Sequence, residues 1–244
     1  VNVTIPYKQR VLPYCSRLTP AAQRCGSINL LVKEPDGTLT GDNTDLAGLQ
    51  FLLRQNGWDL SDQTVVILGS GGTSHTARAA ATALGAAEIA VVSRSGELNY
   101  RNLAERFGER AFYLINTTPV GMAPNCAAAP LDLREFPRCL GVADVIYNPL
   151  RTRLCQQAAE LGIPACGGLL MQAAQAAAAE YAFGAAVPAP ETVLKVCGEL
   201  LRERRNLVLI GMPGCGKTTI GRRAAALLGR EFIDCDERYL AEYG

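Results

Sequence analysis

Two glycine-rich loops of different kinds constrain the fold of this chain most strongly. The first, GSGGTS, follows the apolar residues 65–68, and the second, GMPGCGKTT, follows the apolar residues 207–210. Glycines in such loops let backbone amides and the start of the next helix approach a phosphate group closely. The sequence therefore predicts two strand–loop–helix units, each suited to a nucleotide.

Strand and helix patterns alternate along the middle of the chain. The predicted elements are helix 44–56, strand 64–68, helix 76–84, strand 88–93, helix 101–107, strands 112–116 and 142–147, and helix 152–161. Such alternation is typical of an α/β fold with a parallel sheet covered by helices on both faces. A hairpin at 27–41 precedes this region, helices at 169–183 and 191–203 follow it, and a new strand is expected at 207–210.

Composition limits the class of protein. The 24 basic and 23 acidic residues nearly cancel, which argues against nucleic acid or an anionic membrane as the main partner. No apolar run is long enough to span a bilayer. The nine cysteines lack the spacing of zinc ligands or of a disulfide framework. We therefore expect a cytoplasmic protein with small-molecule partners, and a homodimer is compatible with the sequence.

The first loop is typical of a dinucleotide-binding turn, although a serine takes the place of the usual third glycine. Its residues are Gly69, Ser70, Gly71, Gly72, Thr73 and Ser74. An ordinary tight turn is the alternative interpretation. The next strand ends in Ser93, Arg94 and Ser95, where NAD-binding proteins carry a carboxylate. Arginine and hydroxyls suit a 2′-phosphate, so we expect NADP(H), while the nearby Glu97 leaves NAD open.

Two polar clusters contain acid–base candidates. Lys8 lies in NVTIPYK, and Asp45 lies in GDNTD. A lysine paired with a carboxylate can move a proton during hydride transfer. On this pattern alone, Lys8 could equally be a solvated cation, and Asp45 could simply favour a helix N-terminus.

Seven segments, taken in their order along the chain, form a series that is specific enough to indicate a protein family. They are NVTIPYK, SIN, GDNTD, VVILGSGGTS, NTTPVGM, DVIYNP and GGLLMQAAQ. Over residues 1–183 this series resembles the shikimate dehydrogenases. The resemblance implies reduction of 3-dehydroshikimate with NADPH in aromatic amino-acid biosynthesis. It also implies a discontinuous substrate domain (1–49 and 165–186), a Rossmann-like NADP domain (50–164), and a linker and helix at 187–204.

The resemblance also assigns roles to individual residues. It implies that Lys8 is the catalytic lysine and Asp45 its partner. It implies substrate contacts for Thr4, Asn29, Tyr147 and Gln175, and cofactor contacts for Thr117 and Met171. Ordinary core packing is the alternative for Tyr147 and Met171. Family members begin with a segment carrying two serines that hold the substrate carboxylate, and nothing similar precedes Val1. We therefore expect weak shikimate binding or an unstable fold.

The second loop has the Gly-x-x-x-x-Gly-Lys-Thr pattern of a P-loop, for which a glycine-rich surface turn is the alternative. Together with FIDCD, it resembles the start of a shikimate kinase over residues 206–244. The resemblance implies Mg²⁺ binding by Thr218 and Asp234, and contact of Asp236 with substrate hydroxyls. The residues that would bind ATP are Gly211, Gly214, Cys215, Gly216, Lys217, Thr218 and Thr219. We expect no kinase activity from the P-loop kinase fragment 205–244.

Three functions follow from these patterns. The leading one is an NADP-dependent shikimate dehydrogenase fused to a truncated shikimate kinase. The second is a quinate/shikimate dehydrogenase of broader substrate and cofactor range. The third is a non-catalytic nucleotide-binding regulator that has kept the fold.

Overall fold

The computed structural model describes residues 1–4, 6–187 and 189–244. Ile5 of the NVTIPYK segment and Pro188 of the connector before the predicted helix 191–203 lie outside the described residues. The described chain divides into two compact units, Val1–Leu201 and Arg202–Gly244.

The first unit begins with a small sheet. Strands β1 (Arg17–Leu18), β2 (Leu30–Lys33) and β3 (Leu39–Asp42) are arranged in the order β1-β3-β2. β1 runs parallel to β3, and β2 is antiparallel to it. Helix α1 (Pro20–Cys25) lies between β1 and β2 in the chain, and the Thr19 hydroxyl caps its N-terminus. The Val3 N–H donates to the Asn29 carbonyl, so the first residues of the chain continue this sheet beside β2.

A second, larger sheet is entirely parallel. Its strands have the order β5-β4-β6-β7-β8, and their bounds are β4 (Thr64–Leu68), β5 (Glu88–Val92), β6 (Phe112–Asn116), β7 (Cys139–Asp144) and β8 (Ala165–Cys166). Along β4, Val65 and Ile67 belong to one buried core, and Val66 and Leu68 belong to another. Both faces of the sheet are therefore covered, as the alternating pattern predicts. The strand order reverses between β4 and β6, and ligands bind in the crevice at such a switch point.

Helices connect these strands and join the two sheets. Their bounds are α2 (Thr44–Gln55), α3 (Gly72–Ala83), α4 (Leu103–Phe107), α5 (Arg153–Glu160), α6 (Leu169–Ala182) and α7 (Pro190–Arg204). α2 approaches α6 very closely, because a Cβ added at Gly48 would lie 2.6 Å from the Met171 carbonyl oxygen. This approach brings the start of α2 beside α6. Val193 and Cys197 of α7 pack against α6, so the first part of the predicted linker helix belongs to this core.

Several predicted bounds were wrong. The strand expected at 142–147 is β7, which ends at Asp144 because that carboxylate accepts the Ile146 N–H and the chain turns. The helix expected at 76–84 begins earlier, at Gly72, inside the glycine-rich loop. The hairpin strand expected from residue 27 begins at Leu30, since the Ile28 N–H bonds to the Lys8 carbonyl instead.

The second unit contains helices α8 (Lys217–Leu228) and α9 (Cys235–Tyr243). The strand predicted at 207–210 is not formed, since none of the strand pairings among the described residues includes these positions. Val208 and Ile210 are 75% and 89% exposed. An apolar sequence becomes a strand only when a neighbouring strand accepts its backbone hydrogen bonds.

Candidate active site

The two acid–base candidates form an ion pair. The Lys8 ammonium lies 2.6 Å from Asp45 Oδ2, and the two side chains are only 15% and 11% exposed. Asp45 is placed by the first turn of α2, whose N-terminus is capped by the Asn43 side chain. Because both groups are shielded from water, their attraction is screened less than that of a surface ion pair. The structure therefore supports a pair that acts together.

Neighbouring amides complete this cluster. Asn29 Nδ2 lies 3.0 Å from Asp45 Oδ1, 2.9 Å from Thr44 Oγ1 and 3.2 Å from Gln175 Oε1. Asn29 Oδ1 in turn accepts the Thr44 N–H at 2.7 Å. Gln175 faces the cluster, whereas Gln172 on the same helix is exposed. Thr44 is a member that sequence reasoning missed, although its GDNTD motif had been singled out.

Thr4, the remaining substrate-contact candidate from the NVTIPYK segment, does not join this cluster through its side chain. It is exposed, and its carbonyl accepts the Tyr7 N–H.

The first glycine-rich loop lies beside the lysine. Gly69 has a left-handed backbone with φ of +103°, and a Cβ there would lie 2.8 Å from Thr117 Oγ1. Thr117 donates from both its N–H and its hydroxyl to the Leu68 carbonyl. A Cβ at Gly72 would lie 3.8 Å from the Lys8 Cβ. The loop, Thr117 and Lys8 therefore meet at the switch point of the larger sheet.

Arg94 lines a separate cavity next to the end of β5. The cavity has a volume of about 380 Å³ and is lined by Arg94, Asn99, Tyr100 and Arg101. Burial raises the pKa of the Tyr100 hydroxyl, and the Arg94 charge partly opposes that rise. Glu97, which left NAD open, is not among the lining residues. Arg101 was missed because it follows Arg94 at a distance and carries no motif of its own.

The other cofactor- and substrate-side candidates lie on the same unit. Met171 is 7% exposed and belongs to the core shared by α2 and the larger sheet, as the packing alternative expects. Tyr147 is 41% exposed, in the turn that follows β7. Ser74 is buried in the first turn of α3, and its N–H donates to the Gly71 carbonyl. A small side chain is therefore sufficient at the third position of the glycine pattern.

The P-loop of the second unit has the backbone that its glycines predict. Gly214 and Gly216 adopt positive φ of 76° and 85°. Lys217 Nζ donates at 2.9 Å to the carbonyls of both Gly211 and Met212. The Thr218 hydroxyl lies 3.3 Å from Asp234 Oδ2, so the two predicted magnesium ligands are neighbours. The Asp236 N–H bonds to Asp234 Oδ1 at the start of α9, which fixes the Asp-x-Asp pair.

Two features are absent from the part of the chain that the structure describes. In residues 1–4, 6–187 and 189–244, no helix has the length and apolar character needed to cross a membrane. Over the same ranges, no group of three or more His, Cys, Asp or Glu side chains is arranged to hold a metal ion.

A parallel sheet with a glycine-rich loop at its switch point, and a shielded Lys–Asp pair against that loop, define an α/β protein of the dinucleotide-binding class. A shikimate dehydrogenase (NADP(+)) of Oleidesulfovibrio alaskensis is 40% identical over 191 residues, which cover 72% of this chain and 67% of the relative. A shikimate dehydrogenase (NADP(+)) of Geobacter sp. is 39% identical over 211 residues, which cover 77% of this chain and 71% of the relative. The chain belongs to the shikimate dehydrogenase family.

Family models and solved structures agree with this assignment. A model described as the shikimate dehydrogenase substrate binding domain matches residues 1–31, and a shikimate kinase model matches residues 213–243. A chorismate mutase/shikimate 5-dehydrogenase fusion protein from Clostridium acetobutylicum matches with a TM-score of 0.79 at 29% identity, over 84% of this chain and 78% of that one. Shikimate 5-dehydrogenase from Thermus thermophilus, in complex with NADP(H) and shikimate, matches with a TM-score of 0.67 at 31% identity. This match covers 82% of this chain and 78% of that one. The dehydrogenase family recognised in the sequence is thereby confirmed, while the similarity to shikimate kinases is confined to residues 213–243.

Proposed function

We propose that residues 1–201 interconvert 3-dehydroshikimate and shikimate with NADP(H), and that reduction to shikimate is the biosynthetic direction. The observation that carries this proposal is the shielded Lys8–Asp45 pair, placed directly against the dinucleotide loop. The Thermus thermophilus relative, which binds NADP(H) and shikimate, supports the choice of ligands.

The residues present fit such a cofactor, because nothing lies within 4 Å of an added Cβ at Gly71 and the nearest atoms at Gly72 are 3.8 and 3.9 Å away on Lys8, which leaves the loop open to a pyrophosphate. When bound, NADPH supplies a hydride to the ring carbonyl carbon. The Lys8 ammonium stabilises the negative charge that develops on the carbonyl oxygen and gives that oxygen its proton. Asp45 holds the ammonium in place and matches its charge. Asn29 and Gln175 offer amide groups to the ring hydroxyls.

The preference for NADP over NAD rests on the cavity beside β5. Arg94 and Arg101 both line it, and two guanidinium groups suit the doubly charged 2′-phosphate of NADP. Ser93 and Ser95 add hydroxyl donors close by. A quinate dehydrogenase from Corynebacterium glutamicum, in complex with NAD, shares the fold with a TM-score of 0.72 at 25% identity. The broader dehydrogenase therefore remains the alternative function.

Initial rates separate these functions. We expect the purified chain to oxidise NADPH when 3-dehydroshikimate is added, and to use NADH at least about tenfold less efficiently. In the reverse direction, it should oxidise shikimate in preference to quinate. Equal use of both cofactors and both hydroxyacids would favour the broader enzyme, and no turnover would favour the regulator.

For the second unit we propose that the P-loop binds the phosphates of ATP. Lys217 would move from the loop carbonyls to the β- and γ-phosphates, since it is held there only by hydrogen bonds on an exposed surface. Thr218 and Asp234 would hold Mg²⁺ together with the phosphates, a ligand set that this ion commonly uses. Asp236 would contact the hydroxyls of a phosphoryl acceptor. Titration calorimetry with ATP and Mg²⁺ tests this.

We also propose that the first unit comprises a substrate domain and a cofactor domain, in a cytoplasmic enzyme that is compatible with a homodimer. The sequence predicts a substrate domain at 1–49 and 165–186 and a cofactor domain at 50–164, and the two sheets support this division except at its second boundary. We place the second boundary after Cys166, because β8 pairs with β7 of the larger sheet.

A further inference from the structure

Asp144 is a fully buried carboxylate at the end of β7, and the proposed mechanism does not use it. Two segments of the site begin beside it: the cofactor-side loop (residues 117–122) and the substrate-side turn (residues 145–149). We propose that Asp144 is a positioning residue that fixes these two segments relative to each other. Only the identity of the ligands in this proposal rests on the proposed function.

Three neutral donors surround the Asp144 carboxylate. Oδ1 accepts from Asn116 Nδ2 at 3.0 Å and from the Ile146 N–H at 3.1 Å. Oδ2 accepts from the Thr152 hydroxyl at 2.7 Å. Among the ion pairs of the described residues, none includes Asp144. A single side chain therefore joins the ends of β6 and β7 to the N-terminus of α5.

One of these bonds leads to the cofactor-side loop. Asn116 Oδ1 accepts both the N–H and the hydroxyl of Thr118, at 3.0 and 2.8 Å. The Thr118 hydroxyl accepts the Val120 N–H in turn. Because Asp144 holds the amide of Asn116 in one orientation, it determines which way the Asn116 oxygen points. The loop that carries Thr117 against Gly69 is fixed through this chain of bonds.

A second bond leads to the substrate-side turn. The Ile146 N–H points at Asp144, and the Ile146 carbonyl accepts the Gly168 N–H at 2.9 Å. Gly168 starts α6 and touches the turn so closely that a side chain there would overlap the Val145 carbonyl. α6 carries Gln175 of the catalytic cluster. Asp144 thus reaches the substrate side through the start of α6.

The charged Asp144 carboxylate destabilises the folded state. Burial raises the pKa of Asp144 to about 6, although its three hydrogen bonds oppose the rise. A buried charge without a cationic partner weakens the folded state. Its contribution is therefore the orientation of the two segments, which an apolar side chain of similar shape could not supply.

Two substitutions at this position distinguish orientation from bulk packing. Asp144→Leu keeps the branched shape but accepts no hydrogen bond. Asp144→Asn can place its amide oxygen where Oδ1 lies, so both bonds toward the site remain, and its NH₂ then donates to the Thr152 hydroxyl. Thr152→Val is the matched control, because it removes the bond from Thr152 to Asp144 and the Thr152 cap on the Cys155 N–H of α5, but neither of the bonds toward the site.

We expect Asp144→Leu to raise the Kd of NADP⁺, measured by titration calorimetry, about tenfold. Amide hydrogen exchange at Thr118, Val120 and Ile146 should accelerate by about the same factor, since these amides lose their fixed partners. Asp144→Asn and Thr152→Val should stay within about twofold of the wild type in both measurements. A folded Asp144→Leu variant with wild-type exchange and wild-type affinity would overturn the proposal.

Two further outcomes are also decisive. If Asp144→Leu does not fold, Thr118→Val breaks only the hydroxyl bonds on the cofactor side. It should weaken NADP⁺ binding and leave the KM for shikimate unchanged, and unchanged NADP⁺ affinity would overturn the proposal. If the wild type binds no NADP⁺, the proposed function fails, while hydrogen exchange at the three amides still decides the role of Asp144.

Discussion

At the scale of single residues, we expect the positive charge of the cavity beside β5 to favour NADP(H) over NAD(H). Arg94→Ala or Arg101→Ala removes a guanidinium from the cavity beside β5. A hydrogen bond to a charged group contributes about 1.5–3 kcal/mol, so we expect the KM for NADPH to rise about 10- to 100-fold. The KM for NADH should barely change. Arg110→Ala is the matched control, since Arg110 pairs with Glu88 at the start of β5. Equal losses with both cofactors would contradict the 2′-phosphate assignment.

Asp144 gives a prediction about pH at the same scale. Its pKa is about 6 in the fold against 3.8 ordinarily, so the folded state binds more protons than the unfolded state between these values. Stability therefore falls as pH rises through this window, by roughly 3 kcal/mol from this group. Asp144→Asn should remove that decline. Urea unfolding at pH 4 and pH 7 measures the wild-type and variant free energies, and parallel pH profiles would refute the assignment.

At the scale of elements, the close approach of α2 and α6 brings Asp45 and Gln175 together around Asn29. A Cβ at Gly48 would lie 2.6 Å from the Met171 carbonyl oxygen and 2.9 Å from the Gln175 Cβ. Alanine improves helix propensity by about 1 kcal/mol, but here the steric overlap must push the helices apart. We expect Gly48→Ala to lower the free energy of unfolding by about 1–3 kcal/mol and to reduce turnover.

The chain contains a control for this experiment. Gly198 lies inside α7 with nothing within 4 Å of the site of an added Cβ. Gly198→Ala should therefore stabilise the protein slightly and leave turnover unchanged. If both alanine variants behaved alike in thermal unfolding and in activity, the contact between α2 and α6 would not be what places Asp45 and Gln175.

Some of the secondary-structure elements could be predicted from the sequence, and others could not. β4 and β6 were predicted with their observed bounds, because their apolar runs are buried on both faces and end at turn-forming residues. The two-residue strands β1 and β8 were missed, since hydrogen bonds to neighbouring strands define them rather than any periodic pattern. The residues 207–210 have the right composition for a strand but no pairing. Lys8 and Asp45 were identified through their motifs, whereas Thr44, Arg101 and Asp144 required coordinates.

At the scale of the whole molecule, the chain carries two glycine-rich loops on two units, and we propose a nucleotide site at each loop. Lys217→Ala removes the ammonium that now bonds to the Gly211 carbonyl and that we propose binds the phosphates of ATP. We expect this variant to lose ATP binding in the presence of Mg²⁺, because the phosphate charge is no longer matched, and to retain NADPH-dependent reduction within about twofold. Titration calorimetry and initial rates on the same preparation provide both values. A parallel loss of reduction would show that the sites do not act independently.

The proposed reduction depends on the Lys8–Asp45 pair beside the dinucleotide loop, and the kcat of a Lys8→Ala variant tests this dependence most directly. NADPH oxidation with saturating 3-dehydroshikimate gives kcat, and calorimetry gives NADP⁺ affinity for the same variant. We predict a fall in kcat of about 10²- to 10⁴-fold, as expected for loss of a general acid, with NADP⁺ affinity within about threefold of the wild type. A Lys8→Ala enzyme that turns over at the wild-type rate, or a wild-type chain that reduces no substrate, would contradict the account.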